Sequence, residues 1–136
     1  MIQVIAGEKG SGKTKRMIAN ANECIAQSKG HVIYLGNNSE AMYELNSSIR
    51  LIDTSQFLIS SVDMFIGFVY GTISEDYDIE CIYIDNVNCL TKDEGAILKF
   101  VEALKGIAEK FEIKFVLGIK APKDRLPDIE IEYVAV

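Results

Sequence analysis

The sequence holds only two prolines, Pro122 and Pro127, one histidine, His31, and three cysteines in 136 residues. Few breakers, no internal repeat and no low-complexity linker leave residues 1–136 as a single domain. Cys24, Cys81 and Cys89 are odd in number, and no pair has CxxC spacing. A disulfide framework and a structural zinc site are therefore not expected, and the thiols read as reduced and mostly buried. His31 stands just before an apolar run and reads as a strand-start residue, not a catalytic base. Positive charge is also short. The formal net charge is -6, which argues against broad binding of DNA or RNA. No long hydrophobic run is present either. The most apolar stretch, Phe57–Gly71, spans about 15 residues and contains Asp63, whereas a membrane helix needs about 20. The N-terminus has no basic region or cleavage signal. No membrane span and a cytoplasmic location are expected.

What is present is 49% apolar and 25% charged sequence, enough for a real core. Its pattern alternates strand and helix. Ile2–Ala6 reads as a buried strand. Thr14–Ser28 places Met17, Ile18, Ala21, Cys24 and Ile25 on one helical face, with Gly30 as the stop. His31–Leu35 is a second buried strand. Asn37, Asn38 and Ser39 supply turn chemistry ahead of a short helix over Glu40–Ser48. Ile49–Asp53 reads as a short strand or extended segment. Leu58, Val62, Phe65, Ile66 and Val69 predict a helix over Gln56–Tyr70 with a wide apolar face. Glu80–Asp85 is a buried strand closed by a carboxylate. A capping-box spelling at Thr91–Glu94 opens a helix through about Lys110. Ile113–Ile119 is another buried strand. Ile129–Val136 alternates, with Ile129, Ile131, Tyr133 and Ala135 on one face, as a half-exposed edge strand does. Such alternation predicts an α/β layer fold with a mainly parallel sheet, whose ligands bind beyond the carboxyl ends of the strands.

One such end carries Gly7-Glu8-Lys9-Gly10-Ser11-Gly12-Lys13-Thr14. It fits G-x-x-x-x-G-K-[ST] at every fixed position, between a strand and a helix. With glycine near 7% of residues, chance produces the bare pattern in well under about one in a hundred chains of this length. Glycines let the backbone turn its N–H groups into an anion-holding concavity, and the helix start adds positive potential. Lys13 is expected to reach the β- and γ-phosphates and Thr14 to ligate magnesium. Lys9, Lys15 and Arg16 either add positive field or are ordinary solvated charges.

Magnesium in such a site also needs a carboxylate at another strand tip. Asp85 closes the only apolar run of that kind near mid-sequence. Asn86 follows it, where a carboxylate would act as base; an amide can position water but cannot take its proton. Glu40 is a candidate acid from elsewhere, and Asp53 a weaker one. A second polar tip, Lys120-Ala-Pro-Lys123-Asp-Arg125, follows the strand ending at Ile119. Lys120, Lys123 and Arg125 could sense a γ-phosphate or a phosphorylated substrate, Arg125 could serve a neighbouring subunit, or all could form a plain basic turn.

The loop, the strand ending at Asp85 and their order resemble the P-loop NTPase superfamily. The strand order looks like its RecA-like and thymidine-kinase-like branch, and Val116–Ile119 with Asp124-Arg125 is similar to a thymidine-kinase turn. The resemblance implies a three-layer fold with a five-stranded sheet in the order 5-1-4-3-2. The resemblance is to the core alone, without the zinc and substrate-closing additions of thymidine kinases or the accessory domains of RecA-like motors, and Asp85-Asn86 stands where thymidine kinases carry Asp-Glu.

Three functions are compatible with these residues. The first is a Mg-ATP-binding protein with slow or partner-stimulated hydrolysis, in which nucleotide state changes the surface shown to a protein partner or a second copy. The helix over residues 56–70 is its candidate contact. The second is a small nucleoside or nucleotide kinase. The third is a non-catalytic nucleotide-binding subunit. ATP is the default nucleotide, because no Asn-Lys-x-Asp guanine-reading motif is present.

Overall fold

A computed structural model describes residues 1–8, 10–120 and 129–134. Among the described residues six strands form one sheet: β1 (Ile2–Ala6), β2 (His31–Gly36), β3 (Arg50–Asp53), β4 (Ile79–Ile84), β5 (Lys114–Ile119) and β6 (Glu130–Tyr133). Their order is β3-β2-β4-β5-β1-β6, and every pairing is parallel. The expected count of five strands is thus too low. Arg50–Asp53, readable as either strand or extended segment, pairs with β2 from Ile33↔Arg50 to Gly36↔Asp53 and forms one edge. At the other edge β6 pairs with β1. Ala135 and Val136, expected to continue β6, lie outside the described residues.

Three α-helices of the described residues flank the sheet: α1 (Lys13–Gln27), α2 (Val62–Glu75) and α3 (Glu94–Phe111). The strands alternate between two cores. Ile5, Val32, Tyr34, Cys81, Tyr83 and Val116 pack with Met17, Ile18 and Ala21 of α1. Val4, Ala6, Ile33, Leu35, Ile82, Ile84, Phe115 and Leu117 pack with Phe65, Val69 and Ile73 of α2 and Phe100, Val101 and Leu104 of α3. Both faces are covered, so the central strands are apolar throughout instead of alternating. This is a three-layer α/β arrangement. Among the described residues, no helix is long and apolar enough to cross a membrane.

Three helical expectations need correction. The helix expected over Gln56–Tyr70 begins at Val62, because the Ser61 hydroxyl accepts from the Met64 backbone N–H at 3.1 Å and caps it there. Such a cap is worth about 1 kcal/mol. Leu58 lies before that helix and is 94% exposed. The third helix starts at Glu94, not Thr91. Asp93 Oδ1 accepts from the Gly95 N–H at 2.9 Å, and Thr91 Oγ1 only accepts from the Asp93 N–H. The segment after β2 makes a single 3-10 turn, Glu40–Tyr43, in place of a helix through Ser48.

Candidate functional site

The parallel sheet brings Gly7, Asn37, Asp85 and Lys120 to one end, because each follows the last residue of its strand. β1, β5, β4 and β2 are successive neighbours, so these tips stand side by side.

The turn after β1 depends on left-handed backbone at Gly10 and Gly12, whose φ values are 81° and 92°. A side chain at either position would be strained. The Ser11 N–H donates to the Glu8 carbonyl at 3.0 Å and tightens the turn. The chain then enters α1 at Lys13. Ser61 and Asp93 cap α2 and α3, but among the described residues no side chain caps α1, and its first turn holds no acidic residue. The first N–H groups of a helix have no intrahelical acceptor, so this terminus presents donors and positive potential. Ser11 is 9% exposed, and its hydroxyl has no hydrogen-bond partner among the described residues. A buried hydroxyl without a partner is uncommon and fits a site completed by an acceptor-rich group.

Lys13 folds back over this turn. Its Nζ donates to the Gly7 carbonyl at 2.7 Å and to the Glu8 carbonyl at 3.3 Å. Partial burial holds its pKa below the ordinary lysine value, with Lys120 acting in the same direction and Asp85 and Glu8 opposing.

Asp85 is buried, and both of its carboxylate oxygens accept hydrogen bonds. Its Oδ2 accepts from the Thr14 hydroxyl at 2.8 Å and from the Tyr34 hydroxyl at 3.1 Å, while Oδ1 accepts from the Asn86 N–H at 2.8 Å. Burial, then the charge and hydrogen bond of Asp85, keep the Tyr34 phenol protonated by raising its pKa. Gly118 of β5 lies beneath the carboxylate. A Cβ there would come within 2.5 Å of Met17 Sδ and 2.9 Å of Asp85 Oδ1. Thr14 and Asp85 together present a hydroxyl and a carboxylate oxygen, hard donors of the kind magnesium takes.

Asn86 adopts left-handed backbone, φ 56° and ψ 47°, turning the chain immediately after Asp85. Its Nδ2 donates to Asn37 Oδ1 at 3.1 Å. Lys120 reaches the loop from β5. Its Nζ is 3.5 Å from a Glu8 carboxylate oxygen, and its N–H donates to Asn88 Oδ1 at 2.6 Å.

Other expected residues are placed elsewhere. Arg16 is committed to Glu132 through Nε and Nη2, at 2.6 and 3.0 Å, tying α1 to β6. Lys15 is exposed. Glu40 is exposed too; its N–H donates to Asn38 Oδ1, and its carboxylate has no hydrogen bond to the Thr14–Asp85 cluster. Asp53 caps a 3-10 turn through Ser55. Lys9, Lys123 and Arg125 lie outside the described residues. His31 opens β2, as a strand-start residue does, and pairs with Asp76 at 2.6 Å. The three cysteines are free, but Cys89 is exposed and Cys24 only partly covered, so burial holds fully for Cys81 alone.

Sequence reasoning missed Tyr34, Asn37 and Asn88 as parts of this end of the sheet. A tyrosine inside a buried apolar run was the one signal available, since its hydroxyl needs a partner. No protein-family model matches the chain, and no curated protein matches it in sequence.

Proposed function

We infer that the chain binds a nucleoside triphosphate with magnesium, ATP by default, at the turn Gly7–Thr14. The observation that carries this reading is the Thr14–Asp85 contact, because it joins the hydroxyl and the carboxylate of two distant segments beside an uncapped helix start. Backbone N–H groups of Gly12–Lys15, at the uncapped start of α1, and the Ser11 hydroxyl face the polyphosphate oxygens. Lys13 exchanges the Gly7 and Glu8 carbonyls for phosphate. Thr14 and Asp85 hold magnesium, which when bound offsets the charge of the phosphate oxygens.

Turnover is slow or partner-stimulated in this reading. Asn86 follows Asp85, and an amide cannot act as a base. Glu40 is exposed and outside the hydrogen-bonded cluster. The nucleotide then acts chiefly as a state marker, read by a protein partner or a second copy.

A thermal-shift panel of nucleotides with and without magnesium, followed by phosphate release, tests the proposal. Stabilisation by Mg-ATP that vanishes in Lys13→Ala is expected. Equal affinity in wild type and Lys13→Ala sinks the reading. Transfer of phosphate to a nucleoside, with none released to water, would move the protein to the kinases.

A further inference from the structure

The loops after β2 and β4 are laced together by side-chain amides. Asn86 Nδ2 donates to Asn37 Oδ1 at 3.1 Å, and Asn37 Nδ2 donates to Cys89 Sγ at 3.3 Å. Asn37 Oδ1 also accepts from Asn38 Nδ2 at 3.4 Å. These bonds order the two amides. With Asn37 Nδ2 on the Cys89 thiol, its Oδ1 accepts from both Asn86 and Asn38. Asn86 in turn spends its donor on Asn37, and its carbonyl oxygen Oδ1 has no partner among the described residues.

The backbone supports the same placement. Asn86 is one of two described non-glycine residues with positive φ, and asparagine enters this region more readily than most side chains. That turn seats its N–H on Asp85 Oδ1 at 2.8 Å. The carboxamide is thus held from two directions, beside the carboxylate that meets Thr14.

We propose that Asn37 is a positioning residue that fixes the Asn86 carboxamide with its carbonyl oxygen free, as the acceptor that orients the attacking water. This rests on the Mg-triphosphate reading above. Water has two O–H donors, and a free carbonyl oxygen can hold one of them while leaving the water's lone pair toward phosphorus. An amide turned by half a revolution would offer N–H₂ and compete for that lone pair. The Asn37 acceptor prevents the turn.

The step needs no base on the protein. The water oxygen bonds to the γ-phosphorus, and the bond from phosphorus to the β–γ bridging oxygen breaks, its electron pair leaving with the diphosphate. Both water protons stay on the released phosphate until solvent takes one. The amide orients and does not titrate.

The test is a double-mutant cycle on Asn37→Leu and Asn86→Ala, read by two measurements. One is phosphate release at saturating Mg-ATP. The other is affinity for Mg-ADP with aluminium fluoride, divided by affinity for Mg-ADP alone. Asn37→Leu should lower both about tenfold while its Mg-ADP affinity stays within about threefold of wild type. In the Asn86→Ala background, Asn37→Leu should add nothing. Equal release and an equal affinity ratio in Asn37→Leu overturn the proposal, as do fully additive losses. A wild type that binds Mg-ATP but neither releases phosphate nor prefers the fluoride complex overturns it too, and leaves the binding reading intact. A wild type that binds no Mg-nucleotide removes both. Circular dichroism melting of each variant separates these results from loss of fold.

Discussion

The Thr14 hydroxyl donates to the Asp85 carboxylate at 2.8 Å, joining the first turn of α1 to the tip of β4 across 71 positions of sequence. Replacement of Thr14 by valine keeps the shape and deletes the donor. Asp85 retains Tyr34 and the Asn86 N–H, so the fold should persist. Mg-ATP affinity is expected to fall by about tenfold or more in Thr14→Val, toward that of metal-free ATP, and to survive in Thr14→Ser. Calorimetric titrations with and without magnesium check this. Identical metal dependence in Thr14→Val and wild type would contradict it.

Ser11 sets stability against binding. Its buried hydroxyl has no partner among the described residues, so Ser11→Ala removes a desolvated polar group. The nucleotide-free variant should be more stable by about 1 kcal/mol and bind Mg-ATP more weakly. Chemical denaturation and titration of one preparation measure both signs. A variant less stable than wild type would show that the hydroxyl is already satisfied.

Gly118 is the floor of the carboxylate site. Gly118→Ala places a methyl 2.5 Å from Met17 Sδ and 2.9 Å from Asp85 Oδ1. Met17 is fully buried, so the crowding has little room to relax. A loss of about 1–3 kcal/mol is expected, together with weaker metal dependence. A stable variant with unchanged magnesium response would show that the floor yields.

His31 and Asp76 give the fold a pH dependence. Their hydrogen bond raises the His31 pKa above 6.5 and lowers that of Asp76 below 3.8; mutual charge adds to both shifts. The histidine contribution is complete below pH 6.5 and fades as pH rises through the raised value. The aspartate contribution is complete above pH 3.8 and fades as pH falls through the lowered value. The pair therefore stabilises most between those limits. The melting-temperature difference between wild type and His31→Gln should be larger at about pH 5.5 than at about pH 8.5. A difference that does not change with pH would remove the pair from this role.

The central strands were legible because burial on both faces makes continuous apolar runs, and HVIYL, CIYI and KFVLGI each read that way. The turn at Gly7–Thr14 was legible as a glycine-rich break between a strand and a helix, and Asp85 as the acid that closes an apolar run. The start of α2 was not. Leu58 and Val62 imitate helical spacing, but Ser61 caps the helix after Leu58 has passed. Asn37 and Asn86 lie 49 positions apart, and only the adjacency of β2 and β4 brings them together. Tyr34 is core by burial, and what its sequence neighbours do not show is that its hydroxyl donates to Asp85 Oδ2.

The place of β1 between β5 and β6 has a consequence for synthesis on the ribosome. Ile2 pairs with Phe115, 113 positions later, and Gln3 pairs with Glu130. At roughly 5–20 residues per second, β1 waits about 6–23 s for its first sheet neighbour to be made. β2, β3 and β4 can pair with one another during that interval. The strand that carries the glycine turn then joins the sheet after β2, β3 and β4, once β5 is there to receive it, and β6 closes the edge on β1. A ligand added during translation should protect the chain from protease only after β5 and β6 have emerged.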